Sequence, residues 1–126
     1  GFGYKARLHA DKNRTDFIVS VYSFFSKSKS WVKPDKKTAY VLNHEQKHFD
    51  IAYIGTCLFI KKLRETKFTQ TNYRNLLGQV YNEMYTYMND LQDLYDSETN
   101  NGQLENKQEE WNKRIDDLLI QVNSIK

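Results

Sequence analysis

Between positions 73 and 94 the chain repeats apolar and aromatic residues at helical spacing: Tyr73, Leu76, Leu77, Val80, Tyr81, Met84, Met88, Leu91 and Leu94. Asn, Gln, Arg and Glu occupy the opposite side, so the pattern predicts an amphipathic helix with one stripe to bury. The stripe stops at Thr99-Asn100-Asn101-Gly102, a turn signal because Asn and Gly tolerate positive φ. A long one-sided helix cannot stand alone in water; the rest of the chain must supply a second layer.

The flanking segments fit that demand. From about Asp35 to Thr66 the period is again helical, with Asp35 as a plausible N-cap and Lys61, Lys62 and Arg64 in the last turns, where cations suit the helix dipole. After Gly102 a third helix is predicted, with Leu104, Trp111, Ile115, Leu118, Val122 and Ile125 on its inner face. Residues 1–36 read as strand and loop. Asp16 to Phe25 alternates, with Phe17, Val19, Val21 and Phe25 on one side and Ile18, Tyr22 and Phe24 on the other, which predicts partial cover on both faces. Ser26 to Ser30 reads as a polar turn, and Pro34 blocks continuation of a helix or central strand. The expected architecture is α+β, a small N-terminal sheet followed by three helices, in one domain spanning 1–126 with no internal repeat or linker.

Composition narrows the function classes. Apolar residues make up 39% and charged residues 28%, as in globular rather than disordered chains. The 19 basic and 16 acidic side chains are interleaved, which argues against a nucleic-acid face and against a highly acidic or basic target. No apolar run is long enough to span a bilayer. The single Cys57 excludes an internal disulfide and, inside an apolar helical run, reads as a small core residue. A start at Gly1 reads as a processed or trimmed chain from which any targeting signal is missing.

The chemistry concentrates in His44-Glu45-Gln46-Lys47-His48. Residues four apart on a helix project from one face, so His44 and His48 aim two imidazoles at one point. Glu45 lies beside them, placed to take a proton from a metal-activated water, the arrangement of zinc peptidases. The histidine stripe continues through Val41, Ile51, Gly55 and Leu58, so the pair faces inward, where an imidazole needs a partner and a metal is one. His9, alone in the N-terminal segment, reads as a surface or strand residue. Asp50 follows His48 by two residues, points away, and is expected to anchor a neighbouring loop.

The run Leu42-Asn43-His44-Glu45-Gln46-Lys47-His48-Phe49-Asp50-Ile51-Ala52 resembles the signature of a bacterial family of predicted secreted zinc-dependent proteases, a family catalogued as a domain of unknown function. Ser30-Trp31-Val32, Tyr95-Asp96-Ser97-Glu98-Thr99-Asn100 and Trp111-Asn112 resemble further family elements in the expected order. The resemblance implies a zincin-like domain, exported to the periplasm or cell surface, that binds one Zn2+ and acts on a peptide or protein substrate. It also implies a third ligand after the Tyr-Asp-x-x-Thr element, where the family carries histidine and this chain has Asn101. Tyr53 is a second departure, standing where many relatives carry glutamate. Asp96 and Glu98 precede Asn101 and supply carboxylates for a two-histidine, one-carboxylate set; the alternative is that both face solvent. Tyr95 could donate to a developing oxyanion or simply close the helix stripe.

Three readings follow. In the first, zinc held by His44, His48 and one of Asp96, Glu98 or Asn101 works with Glu45 as general base. In the second, the domain is a non-catalytic binding or scaffold relative that lost its third ligand at Asn101. In the third, zinc is structural and pins the helix to the 96–101 loop.

Overall fold

The computed structural model of the protein describes residues 2–10, 15–23 and 39–124. Two strands, β1 (Phe2–Ala10) and β2 (Thr15–Ser23), are followed by three helices, α1 (Ala39–Glu65), α2 (Tyr73–Thr99) and α3 (Glu105–Asn123). The expected α+β order of a small sheet and three helices is therefore present. Asp35, Ser30-Trp31-Val32, Pro34, Phe24, Phe25 and Ile125, to which roles are assigned above, lie outside the described residues.

The strands pair antiparallel in the register Phe2↔Ser23 through Ala10↔Thr15. Alternation decides which face is inward: Val21 packs against the core, while Ile18 and Tyr22, on the opposite face, are exposed. Ile18 and Tyr22 keep 37% and 47% of their surface exposed, so the outer face is covered only in part. Phe2 anchors the sheet. It is fully buried, its ring lies 5.5 Å from Phe59 and 5.4 Å from both Tyr81 and Tyr85, and its carbonyl accepts from the Tyr81 hydroxyl at 2.8 Å. Burying a side chain of this size contributes about 1.5–3 kcal/mol.

Helix α2 runs back along α1. His44 meets Asp96, His48 meets Gln92, and Gly55 faces Met88. The last pairing is close: a Cβ at position 55 would sit 3.0 Å from the Met88 Cβ and 3.2 Å from Phe2, so the absence of a side chain lets the two helices and the strand meet there. Helix α3 then turns again and lies beside α1 in the same direction. Asn43 donates to Asn112 at 3.1 Å, Lys47 to Asp116 at 2.5 Å, and Tyr53 to Asn123 at 3.1 Å. The common core is formed by Ile51, Ile54 and Phe59 of α1, Val80, Met88, Leu91 and Tyr95 of α2, and Trp111, Ile115 and Val122 of α3.

Two stripe assignments change. Leu94 is 42% exposed and Tyr95 takes its place inside, because the buried stripe of α2 advances through Met88, Leu91, Tyr95 and Thr99. Leu104 is 48% exposed, since it stands at the N-cap of α3 rather than within it; the buried position at that end is Gln108. Helix α2 ends as expected. Asn100 and Asn101 have φ of 50° and 56°, Gly102 has φ of 89°, and the Asn101 amide donates to the Asp96 carbonyl at 2.8 Å.

Candidate metal centre

The site lies where the first half of α1, the last turns of α2 and the start of α3 meet. The four-residue spacing on α1 stacks the two histidines along one face, and their rings sit 5.0 Å apart, edge to face. His44 is buried and stacks on Tyr95 with centroids 4.6 Å apart and an interplanar angle of 21°. His48 meets the same Tyr95 ring edge-on at 4.9 Å. Tyr95 is thus the floor on which both imidazoles are set.

Both Nε2 atoms face one carboxylate oxygen. Asp96 Oδ1 is 3.1 Å from His44 Nε2 and 2.6 Å from His48 Nε2. The far ring nitrogens also have partners: His44 Nδ1 is 2.7 Å from Gln108 Oε1, and His48 Nδ1 contacts Gln92 Oε1. The three inward atoms, one per residue, lie within 4.8 Å of one another. Three ligands at zinc distances of 2.0–2.2 Å are separated by roughly 3.4 Å; the donor set matches in type, while Asp96 Oδ1 stands at hydrogen-bond distance from both rings and would draw back from His48 to admit an ion.

Electrostatics follow from this crowding. Burial works against ionisation of Asp96, but hydrogen bonds from His44 and His48, and their charges, outweigh it and hold the carboxyl well below the usual carboxylate range. Burial likewise disfavours a charged His48, yet its bonds to Asp96 and Gln92 and the negative charges of Asp96 and Glu45 raise its pKa. Glu45 is half-buried, and its charge reaches both His48 and Tyr95.

The other residues proposed from sequence fall elsewhere. Glu98 is exposed and accepts from the Trp111 indole Nε1 at 2.9 Å, on the side of α2 facing α3. Asn101 is exposed and acts through its main-chain amide as a cap on α2; among the described residues no hydrogen bond joins its side chain to either histidine. Tyr95 is fully buried; its hydroxyl donates to the His44 carbonyl at 3.1 Å and accepts from Gln108 Nε2 at 2.7 Å. That commitment removes it as an oxyanion donor and leaves the role of closing the stripe. Burial pushes its phenol up. Asp50 accepts from Gln46 at 3.0 Å and lies 3.7 Å from Lys47, so among the described residues its partners belong to its own helix and not to a neighbouring loop. Tyr53 binds Asn123 at the far end of α3, away from the histidines.

Three participants were not found by reading the sequence. Gln92 stands four residues before Asp96 on α2 and therefore on the same face, which is the only local hint of its role. Gln108 carried a clearer signal: a polar residue in phase with Trp111 and Ile115 on the inner stripe of α3 needs a buried partner. Gly102 closes the site from the turn, since a Cβ there would lie 3.0 Å from His44 Cγ.

Among the described residues no helix is long and apolar enough to cross a membrane. No family model, curated protein or solved structure compared with the chain gives a significant match.

Proposed function

We propose that this chain is a zincin-like metallopeptidase domain that binds one zinc ion through His44, His48 and Asp96 and hydrolyses peptide bonds with Glu45 as general base. The observation that carries the reading is the convergence of both imidazole Nε2 atoms on Asp96 Oδ1, 52 and 48 residues away in sequence, beside a glutamate at the second position of the motif. Two neutral imidazoles and a carboxylate are a ligand set of catalytic zinc, in which a further coordination position stays open. When bound, zinc supplies Lewis acidity, polarising a carbonyl and bringing a water toward ionisation near neutral pH.

The chain's own residues do the rest. Glu45 accepts the proton of the attacking water and passes it to the leaving amine, the general acid–base role worth typically about 10²–10⁴-fold in rate. Asp96 is held ionised by the same two histidines that share its oxygen, so it enters as an anion without a preceding deprotonation. Tyr95 fixes the depth of both rings. The resemblance of Leu42 through Ala52 to the predicted secreted protease family supports the same chemistry and a location outside the bacterial cytoplasm.

The test is zinc content of the dialysed protein by elemental mass spectrometry, together with hydrolysis of a mixed peptide library. One zinc per chain, lost in His44→Ala, with Glu45→Gln retaining metal and losing turnover, is the expected result. Stoichiometric zinc with no hydrolysis of any peptide would instead favour a non-catalytic metal-binding domain. Absence of zinc after loading would overturn the metal site itself.

A further inference from the structure

Resting on that reading, we infer that Gln92 and Gln108 are positioning residues: each keeps Nδ1 of one histidine protonated, so that Nε2, whose hydrogen is given to Asp96 in the metal-free site, is the nitrogen left for a metal to take. An amide can face a ring nitrogen with either its oxygen or its NH2, and the choice decides which ring nitrogen carries hydrogen. In both glutamines the choice is already made by other bonds. The Gln92 NH2 donates to the His48 carbonyl at 2.8 Å. The Gln108 NH2 donates to the Tyr95 hydroxyl at 2.7 Å and to Asn112 Oδ1 at 2.8 Å. Only the amide oxygens remain to face the rings, and an oxygen can only accept. His44 Nδ1 and His48 Nδ1 must therefore be the donors.

The arrangement grips each histidine twice. Gln92 holds His48 by its ring and, through its NH2, by its main chain. Gln108 holds the ring of His44 while the Tyr95 hydroxyl, itself accepting from Gln108, holds the His44 carbonyl. Gln108 is 1% exposed, so water cannot substitute for it. Without these partners a neutral imidazole would keep its one hydrogen on Nε2, donating to Asp96, with nothing to hold it on Nδ1 when a cation took its place. The supports are neutral amides where ligating histidines often use carboxylates, which leaves Asp96 as the one anion among the three ligands.

The test separates this inference from the metal site on which it rests. In metal-free protein, long-range ¹H–¹⁵N NMR of the imidazoles is expected to show an exchange-protected Nδ1–H on both His44 and His48. The signal should disappear at His48 in Gln92→Met and at His44 in Gln108→Met. Zinc affinity, measured by competition with a chromophoric chelator, should fall about 10–100-fold in each Met variant, as for other outer-shell losses. Gln92→Glu and Gln108→Glu keep the accepting oxygen and should retain more affinity than Met; this guards against a variant that merely packs badly. Protected Nδ1–H signals in a wild-type protein that takes up no zinc would uphold the lock and sink the metal site. Rings protonated at Nε2 alone, or Met variants that bind zinc as tightly as wild type, would overturn the lock.

Discussion

Asp96 is the residue on which the site turns, and it can be told apart from its neighbours by substitution. Asp96→Asn is expected to lower zinc affinity by more than about 100-fold, since loss of an outer partner alone costs 10–100-fold. Glu98→Gln and Asn101→His, both exposed, should leave affinity within about twofold, the scale of ordinary surface changes. A large gain from Asn101→His would mean that the third position had been assigned to the wrong residue. The same carboxylate sets a pH dependence in the metal-free protein. The Asp96 pKa is depressed, so its contribution to stability is complete above the unfolded value near 4 and is lost as pH falls through the folded one. The His48 pKa is raised, so its contribution is complete below the unfolded value of about 6.5 and is lost as pH rises through the folded one. Thermal unfolding of metal-free protein should therefore peak between about pH 4 and 6.5 as far as these two groups decide it. Zinc added at pH 8 should restore stability lost on the alkaline side, because it takes the place of the ring proton. A metal-free melting curve that does not weaken from pH 6 to pH 8 would count against the His48–Asp96 pairing.

At the level of elements, the motif was legible and its partner was not, for a reason of distance. His44, Glu45 and His48 lie within one turn and a half of helix, so spacing alone fixes their relative direction. The choice among Asp96, Glu98 and Asn101 depends on how α2 is rotated against α1. A phase error of one residue moves a side chain by about 100° around the helix. The sequence stripe included Leu94, whereas the structure buries Tyr95 and Thr99 and exposes Leu94, and that rotation is what turns Asp96 rather than Glu98 toward the histidines. The helix end was legible because Asn-Asn-Gly is a local chemical signal. Gly102 has a second duty there that no local signal reveals, since its neighbour is His44. Gly102→Ala meets both problems, a φ of 89° and a 3.0 Å contact with the ring. It should cost at least about 1–2 kcal/mol from the backbone alone, seen as a lower melting temperature, and should weaken zinc binding by displacing His44. If Gly102→Ala bound zinc normally, the turn would not be a wall of the site.

Across the whole molecule, one end holds His44, His48 and Asp96, the proposed zinc ligands, and the other holds the aromatic seat of the hairpin. Phe2, Phe59, Tyr81 and Tyr85 meet there, well along α1 and α2 from His44 and Asp96. Phe2→Ala should destabilise the fold by about 3–5 kcal/mol, the usual range for a fully buried aromatic residue. Its effect on zinc affinity under conditions where the protein stays folded should be small, because Phe2 packs on Phe59, Tyr81 and Tyr85 rather than at the proposed ligands His44, His48 and Asp96. Chemical denaturation and chelator competition on the same variant would measure both. A proportional loss of metal binding would show that the hairpin helps to shape the site.

The tie between Phe2 and Tyr81 spans 79 residues, and that separation has a consequence in time. A ribosome adding about 5–20 residues per second takes about 4–16 s to make the partner that Phe2 needs. During that interval the hairpin can close on itself, yet its apolar face has no helix pair to dock on. Nascent chains halted before Tyr81 should therefore be cut readily next to Phe2, and chains extended past Met88 should resist the same protease. Of the five elements described, the one earliest in the chain is the one that finds its place late.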